Sequence, residues 1–332
     1  VTSSGEAPDP GDRVAQAGAA EGEGGSGPVY ELVRTTGALM SWIAKATAAG
    51  VVAVDTETTS LDALRAELVG VSLSVTPGRA CYIPLGHKQA AVQGALDLGG
   101  DGNTGGDGGD APDQIPLKKA LKLLKPLLEN PSVLKIGQNI KYDMKVLSRH
   151  DVTISPVDDT MLLSYVLGGG LHGHGMDDLA KRFLDHETIK YADVTGTGKA
   201  KVTFDLVGLD KALDYAAEDA DITGRLHRVL KPRLVRDHMV GVYETLERPL
   251  VPVLFEMERT GIKVDGKELK RLSDDFATRL AVLEIDIHKL AGREFNVASP
   301  KQLGEILFDE MGLEGGKKGK TGAYGTGADV LE

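Results

Sequence analysis

Three short motifs of acidic residues, in a fixed order along the chain, constrain most strongly what this sequence can fold into. The first consists of Asp55 and Glu57, at the end of the apolar, β-branched run VVAVDTE. Such a run is typical of a strand buried on both faces, and residues two apart on a strand point to the same face. Two carboxylates held this close repel each other unless a cation lies between them. The motif alone is compatible with a solvated strand end, and with a bound cation it would form a pair of acidic ligands at the end of a central strand.

Two further motifs follow, and each falls on a predicted helix. Asn139 and Asp143 lie four residues apart in QNIKYD, and Tyr215 and Asp219 have the same spacing in YAAEDAD. Residues four apart on a helix share a face. The residues alone leave simpler interpretations open, with Asn139 as a helix N-cap and Tyr215 as a core aromatic. If the groups converge in space, four carboxylates and a phenol suit two hard divalent cations, which take oxygen ligands and promote phosphodiester hydrolysis. If they do not, the chain is an ordinary acidic α/β protein.

The chain also contains weaker copies of these patterns. Residues 185–187 (DHE) repeat the first motif without a buried strand before them, and residues 103–107 repeat the second inside a Gly-rich stretch. A rigid site needs rigid elements, so we interpret both as surface features. His172 and His174 resemble a metal-binding pair, but their loop offers no further soft ligand and we favour no metal there. Asp159, before TMLLSYVL, is interpreted as a helix N-cap.

Composition narrows the class of protein. A formal net charge of −11 argues against broad, non-specific attraction to nucleic acid, because phosphate binding usually draws on Lys and Arg. This net charge is still compatible with a local track of basic residues or with bound metal ions. The single cysteine, Cys81, lies in the apolar run ACYIPL, which predicts a buried thiol, no disulfide framework and a reducing compartment. No apolar run approaches the ~20 residues that span a bilayer. We expect a soluble, cytoplasmic protein with no membrane partner.

The order of the predicted elements indicates an α/β fold, with a mixed β-sheet flanked by helices. Residues 1–28 are expected to form a disordered linker, and the acidic Gly-rich stretch 95–113 a loop insertion. We expect a first domain at 29–232 and, after it, an incomplete α-helical region at 233–332 cut from a longer chain. The predicted helices cover residues 36–49, 116–129, 140–150, 159–167, 176–184, 209–230, 234–260, 266–291 and 299–311.

The motif order D-x-E, N-x-x-x-D, Y-x-x-x-D resembles the DEDDy subclass of 3′–5′ exonucleases, which have an RNase H-like fold. The segments VDTETTSLD, YIPLGH, KIGQNIKYD, DTMLLSYVL and YAAEDADIT are similar to the proofreading domain of bacterial family A DNA polymerases, in the same order. Downstream, RPLVPVLFEMERTGIKVD and FNVASPKQLGEILFDEMGL resemble the start of the polymerase region, leading into its thumb. No segment resembles the palm and fingers motifs. The resemblance implies a chain that does not itself polymerise, within a parent DNA polymerase of replication and repair.

The resemblance also implies roles for individual residues. Asp55, Glu57, Asp143 and Asp219 would bind two Mg²⁺ or Mn²⁺ ions, with Asp55 shared by both. Tyr215 would hydrogen-bond the attacking water, as a phenol that is neutral at its usual pKa of about 10.

Four further positions match residues that lie near the bound 3′ end in the family. Leu61 would pack against the terminal bases, with Gln138, Asn139 and Tyr142 close by. The implied reaction is hydrolysis of the 3′-terminal phosphodiester of single-stranded or frayed DNA, which releases deoxynucleoside monophosphates. A monomer that works at the bacterial nucleoid is expected.

Two alternative functions remain open. An exoribonuclease of the RNase D type has the same five catalytic groups, but helical RNA-binding repeats are expected downstream in place of polymerase-like segments. The other alternative is a catalytically inactive DNA-binding scaffold, as in family A polymerases that have lost the metal ligands. All four carboxylates are present in this chain, which disfavours that alternative.

Overall fold

The computed structural model describes residues 27–88, 113–319 and 322–331, and the chain divides into two compact units between Gly261 and Ile262. The linker expected at 1–28 and the loop expected at 95–113 lie almost entirely outside the described residues. Gln114 exchanges two hydrogen bonds with the backbone of His87, 2.9 and 3.1 Å long. These bonds connect His87, which precedes the 95–113 stretch, to Gln114, which follows it.

A six-stranded mixed sheet forms the centre of the first unit, which confirms the predicted α/β class. The strands are β1 (Val29–Leu32), β2 (Val51–Thr58), β3 (Leu68–Thr76), β4 (Arg79–Pro84), β5 (Leu134–Gly137) and β6 (Val157–Asp159). In space they lie in the order β1-β4-β3-β2-β5-β6. The β4–β3 and β3–β2 pairs are antiparallel, and the other three pairs are parallel. The sequence did not predict β6, which is only three residues long.

Helices cover both faces of this sheet. The first, α1, begins after the N-cap Thr35 and ends at Gly50, whose φ of 68° favours glycine. Helices of the first unit are α1 (Thr36–Ala49), α2 (Leu117–Leu128), α3 (Lys141–Ser148), α4 (Thr160–Gly168), α5 (Met176–Leu184), α6 (Tyr191–Thr195), α7 (Leu209–Arg236) and α8 (Arg248–Thr260). Side chains from α1, α2 and α3 pack with the inner strands in the main core cluster. Helix α7 packs against β1 to β5.

The prediction that the long helix ends at residue 230 is wrong, because α7 continues through Pro232 to Arg236. Its apolar face keeps contact beyond the proline, since Leu230 and Leu234 are buried in one cluster with Tyr243. The helix expected at 234–260 is instead interrupted. His238 has a φ of 57°, one helical turn follows at Val240–Val242, and a π-helical stretch at Tyr243–Glu247 leads into α8.

Residues 233–261 therefore pack on the sheet unit, and the domain boundary expected at 232 lies inside a continuous helix. Buried Asp158 on β6 connects these segments. Its carboxylate accepts a hydrogen bond from Tyr243 Oη at 3.2 Å and contacts His227 Nε2 at 2.8 Å. It also pairs with Lys231 at 3.0 Å and Arg248 at 3.2 Å.

The second unit begins at Ile262 and is largely helical. It contains α9 (Gly266–Ala291), α10 (Pro300–Gly304), a π-helical continuation at Glu305–Glu310 and α11 (Ala328–Leu331). Helix α9 confirms the prediction for 266–291, and its N-cap Asp265 accepts hydrogen bonds from Lys267 and Glu268. No helix of the described residues is both long and apolar enough to cross a membrane.

Candidate active site

Asp55 and Glu57 lie on the central strand β2, as the sequence predicts. They pair in register with Ser72 and Gly70 of β3, and the pairing shifts directly after Glu57. Their side chains point to the same face of the sheet because they are two residues apart. Glu57 is buried and Asp55 is half-buried. The strand thus presents two carboxylates side by side where its regular pairing ends.

Helix α7 brings the third carboxylate to this pair. Ligand oxygens of Asp55, Glu57 and Asp219 all lie within 4.8 Å of one another. Tyr215, one turn earlier on α7, lies at the same pocket. The helix can approach the sheet closely because its buried face is rich in alanine, at positions 212, 216, 217 and 220.

Asp143 of α3 lies in the same pocket but outside this group of three. The hydroxyl of Thr56, on the strand between Asp55 and Glu57, donates a 2.6 Å hydrogen bond to its Oδ1. Asp143 is only 2% exposed. The Thr56 hydroxyl therefore fixes this carboxylate beside the first two.

The interpretation of Asn139 as the cap of α3 is wrong. The helix begins at Lys141, its N-cap residue Ile140 makes no side-chain capping bond, and Asn139 has a φ of 58°. The Asp159 carboxylate instead accepts hydrogen bonds from the backbone N–H groups of Asn139 and Ile140, both 3.0 Å long. It also accepts one from Met161 at 2.9 Å, which confirms its predicted role as the N-cap of α4. One buried carboxylate thus positions the starts of both helices.

An open pocket of about 520 Å³ contains all nine predicted site residues. Asp55, Glu57, Leu61, Gln138, Asn139, Tyr142, Asp143, Tyr215 and Asp219 line it. Leu61 is 97% exposed and so offers an apolar side chain to a ligand. The Tyr142 hydroxyl is held by Thr58 and by the carbonyl of Ser60.

The Gln138 carboxamide, by contrast, is used within the protein. Its Nε2 donates to the carbonyl of His174 at 2.8 Å, and its Oε1 accepts from Thr160 at 2.5 Å. Gln138 therefore ties the loop around His174 to the start of α4, which leaves its polar atoms less available to a ligand than those of Asn139.

Burial raises the pKa of all four carboxylates, and repulsion from neighbouring carboxylates adds to this effect at Glu57, Asp143 and Asp219. Burial raises the pKa of Asp55 to about 6. For Glu57, the charges of Asp55, Asp219 and Asp143 add to burial and raise the pKa well above its usual value. Burial and the charge of Asp55 have the same effect on Asp143 and Asp219. A cation among these groups would stabilise their charged forms.

Burial, followed by the charge of Asp219, likewise raises the pKa of the Tyr215 phenol far above its usual value. The phenol is therefore neutral at physiological pH and keeps its O–H donor. The rings of Tyr191 and Phe204 pack beside it, with centroid distances of 6.0 and 5.8 Å. Tyr215 thus packs against other aromatic rings, as expected of a core aromatic, and also keeps a hydroxyl donor at the acidic site.

The weaker copies of the motifs do not form a second site in the described part of the chain. Asp185 is an exposed, left-handed residue at the end of α5, and Glu187 pairs with Lys181 on the surface. The motif at 103–107 lies outside the described residues. His174 bonds to Ser164 and to the carbonyl of Gly169, so its ring is used within its own loop.

Sequence reasoning missed one wall of the pocket. Tyr191, Lys201, Val202 and Thr203 line it, although this stretch reads only as a Gly-containing loop. The backbone N–H of Val202 donates to the carbonyl of Thr195 at 2.9 Å, which closes the loop on itself. An aromatic and a basic residue ten positions apart carry no periodic signal, so nothing in the sequence indicated this wall.

Comparisons with known proteins agree with this geometry. The family model described as 3′-5′ exonuclease matches residues 30–235. The chain belongs to the 3′–5′ exonuclease family. A second model, DNA polymerase family A, matches residues 266–332. The exonuclease family and the partial polymerase region predicted from the motifs are both confirmed.

Bacterial proteins named DNA polymerase I are similar to this chain. The protein of that name from Rhizobium leguminosarum is 54% identical over 91% of this chain, and the one from Pseudomonas aeruginosa is 40% identical over 91%. The chain spans only about 30% of the length of these relatives. This chain is therefore a 3′–5′ exonuclease domain of the DNA polymerase I type, followed by part of a polymerase region.

A solved structure has the same fold. The POL domain of Pol1 from M. smegmatis, in complex with a DNA primer-template and dNTP, aligns over 91% of this chain and 44% of its own, with a TM-score of 0.64 and 24% identity. At this identity the likeness supports the fold alone.

Proposed function

We propose that this exonuclease domain hydrolyses the 3′-terminal phosphodiester of single-stranded or frayed DNA and releases deoxynucleoside monophosphates. The observation that carries the proposal is the cluster of Asp55, Glu57 and Asp219, whose ligand oxygens lie within 4.8 Å of one another. Asp143 and Tyr215 line the same pocket. These are the five groups that the DEDDy subclass uses.

The donor set fits divalent cations. All the ligand atoms are carboxylate oxygens, which hard cations such as Mg²⁺ and Mn²⁺ prefer. Glu57 Oε1 is buried and has no hydrogen-bond partner among the described residues, as expected of an atom that awaits a ligand. We propose that two ions bind, that Asp55 is shared by both, and that Asp143 completes the set from the side of α3.

When bound, the two cations would polarise the phosphodiester, lower the pKa of an attacking water and stabilise charge on the leaving 3′ oxygen. The protein's own groups position the reactants. Tyr215, neutral for the reasons given above, is proposed to hydrogen-bond the attacking water. Thr56 holds Asp143 in place through its 2.6 Å hydrogen bond. The rigid strand and helix keep these groups aligned during the reaction.

The proposed substrate is a strand end that has left its duplex. Leu61 is exposed enough to pack against the terminal bases, with Asn139 and Tyr142 beside it. We assign Gln138 a supporting role here, since both ends of its carboxamide are bonded within the protein. Separating one stacked base-pair step costs ~1.4 kcal/mol. A mismatched end therefore frays into the pocket more often than a paired one, and this difference would supply the proofreading selectivity.

The polymerase-like region disfavours the exoribonuclease alternative, because a family A polymerase model matches residues 266–332 where RNA-binding repeats were expected. We propose that the division from the exonuclease lies at Gly261 and not at 232, since Val251 and Phe255 belong to the main core cluster. We further propose a monomer that acts within a parent DNA polymerase of replication and repair, at the bacterial nucleoid in the cytoplasm.

The test compares release of labelled mononucleotides, from a single strand that carries the label in its 3′-terminal nucleotide, by the wild-type chain and by two variants, Asp143→Ala and Asp55→Ala/Glu57→Ala. We expect Mg²⁺-dependent release by the wild type and losses of at least 100-fold in both variants. A matched control is Asp185→Asn/Glu187→Gln, which alters the surface copy of the first motif and should retain full activity. Survival of release in either site variant would refute the assignment. An RNA strand of the same sequence tests the exoribonuclease alternative.

A further inference from the structure

Lys201 is the only Lys or Arg among the described residues that line the acidic pocket. The other charged groups of its lining are the four carboxylates of the site. A nucleic-acid strand that enters this pocket brings a negative charge with each phosphate. The cations proposed among the carboxylates would act at the scissile phosphate, so the next phosphates along the strand need a positive charge from elsewhere.

The position of Lys201 suits such a role. Its side chain is exposed and makes no salt bridge with a described residue. Two other exposed lysines are paired with carboxylates. Lys190 pairs with Asp177 at 2.8 Å, and Lys88 pairs with Asp205 at 2.7 Å. The Lys201 charge is thus available to a ligand.

An aromatic stack supports this lysine. Lys201 Nζ lies 5.8 Å from the ring centroid of Tyr191, within the range of a cation–π contact. The Tyr191 ring is stacked on Phe204 with a centroid distance of 6.2 Å and an interplanar angle of 18°, and Phe204 is fully buried. A buried ring therefore fixes the surface on which the lysine rests, on the same side of the pocket as Tyr215.

We propose that Lys201 binds the phosphodiester that lies on the 5′ side of the scissile one, and so holds the strand in register above the carboxylates. The inference rests on the proposed function, because it assumes that the scissile phosphate occupies the carboxylate cluster. Lys201 would bind the substrate without distinguishing its bases, because it would contact only the phosphate backbone of the strand.

The test measures Kd for a single-stranded oligonucleotide by fluorescence anisotropy in Mg²⁺, in the Asp143→Asn background to slow cleavage. We expect Lys201→Ala to weaken binding about 3- to 10-fold at low salt. It should also lower the slope of log Kd against log salt by about 0.7, the value for one phosphate contact with a single strand. Lys201→Arg should retain both affinity and slope. Lys119→Ala removes the same charge from an exposed site on α2, outside the pocket lining, and should change neither.

A neutral methylphosphonate at single linkages identifies the contact. Placed 5′ of the scissile linkage, it should weaken binding when Lys201 is present and have no further effect in Lys201→Ala. Equal losses in both proteins, or an unchanged salt slope in Lys201→Ala, would overturn the inference while the wild-type chain still degrades DNA. A chain that neither binds nor degrades the strand would refute the proposed function and, with it, this inference.

Discussion

Replacing Asp55 by Asn should make the metal-free protein more stable. Burial raises the pKa of the Asp55 carboxyl from 3.8 to about 6. Each pKa unit corresponds to about 1.4 kcal/mol of free energy. The ionised carboxylate therefore lowers the free energy of unfolding by about 3 kcal/mol at neutral pH. Asn keeps the shape of the side chain and removes the charge.

The sign follows from the direction of the pKa change. A carboxyl whose pKa is higher in the folded state binds more protons there than in the unfolded state, so stability falls as pH rises between about 4 and 6. Above about pH 6, the loss of stability caused by the ionised Asp55 is complete. We expect Asp55→Asn to raise the free energy of unfolding by about 1–3 kcal/mol near pH 8, with the lower values reflecting imperfect hydrogen bonding of the amide. The gain should shrink towards pH 4, where Asp55 is itself protonated.

Urea unfolding in EDTA measures this effect through Trp42, the single tryptophan, which is buried in the core of the first unit. The matched control is Asp214→Asn, the same chemical change on an exposed residue of α7, which should shift stability by less than about 0.5 kcal/mol. With Mn²⁺ at about 100 times its Kd, the wild type should gain about 2.7 kcal/mol, and Asp55→Asn should gain less. A variant that is no more stable than the wild type in EDTA near pH 8 would refute this reasoning.

Three further predictions follow from single contacts. Thr56→Val removes the hydrogen bond to Asp143, a charge-assisted bond worth about 1.5–3 kcal/mol. The kcat should therefore fall about 10- to 100-fold, while circular dichroism shows an intact fold. An unchanged kcat would show that this bond does not position the carboxylate. Tyr215→Phe removes the hydrogen bond that we propose to the reacting water and should lower kcat by a similar factor, with little change in KM. A change confined to KM in steady-state kinetics would exclude that role. Asp158→Ala removes the buried carboxylate shared by Lys231 and Arg248, which leaves Glu244 as their remaining ionic partner. It should lower the free energy of unfolding by about 3 kcal/mol, whereas urea midpoints within error of the wild type would contradict the structural role given to this network.

The face that each motif presents could be predicted from the sequence because these signals are local, whereas the convergence of the motifs in one pocket was implied only by the resemblance to known exonucleases. The β-branched run before Asp55 fixes a buried strand, and period-two alternation then places Glu57 on the same face. Four-residue spacing likewise places Tyr215 and Asp219 on one face of α7. Each inference needs only neighbouring residues, and the pocket contains all of them.

Long-range contacts explain where the sequence failed. Asn139 has the side chain of a good N-cap, but the start of α3 is bonded by Asp159, which is 20 residues away in sequence. Pro232 looks like a helix end, yet burial of Leu230 and Leu234 carries α7 past it. The pocket wall at Lys201 depends on how a loop folds back towards the sheet. No local sequence pattern indicates contacts between residues that lie so far apart in the chain.

The most direct test of the metal site is a crystal structure of the chain soaked in Mn²⁺, with anomalous difference maps. We expect two peaks about 3.5–4 Å apart, one among Asp55, Glu57 and Asp219 and the other between Asp55 and Asp143. Both peaks should vanish in Asp55→Ala/Glu57→Ala crystals that are soaked identically. The absence of any peak among these carboxylates at saturating Mn²⁺, or peaks only at other acidic residues, would contradict the claim that the pocket is a metal-dependent nuclease site.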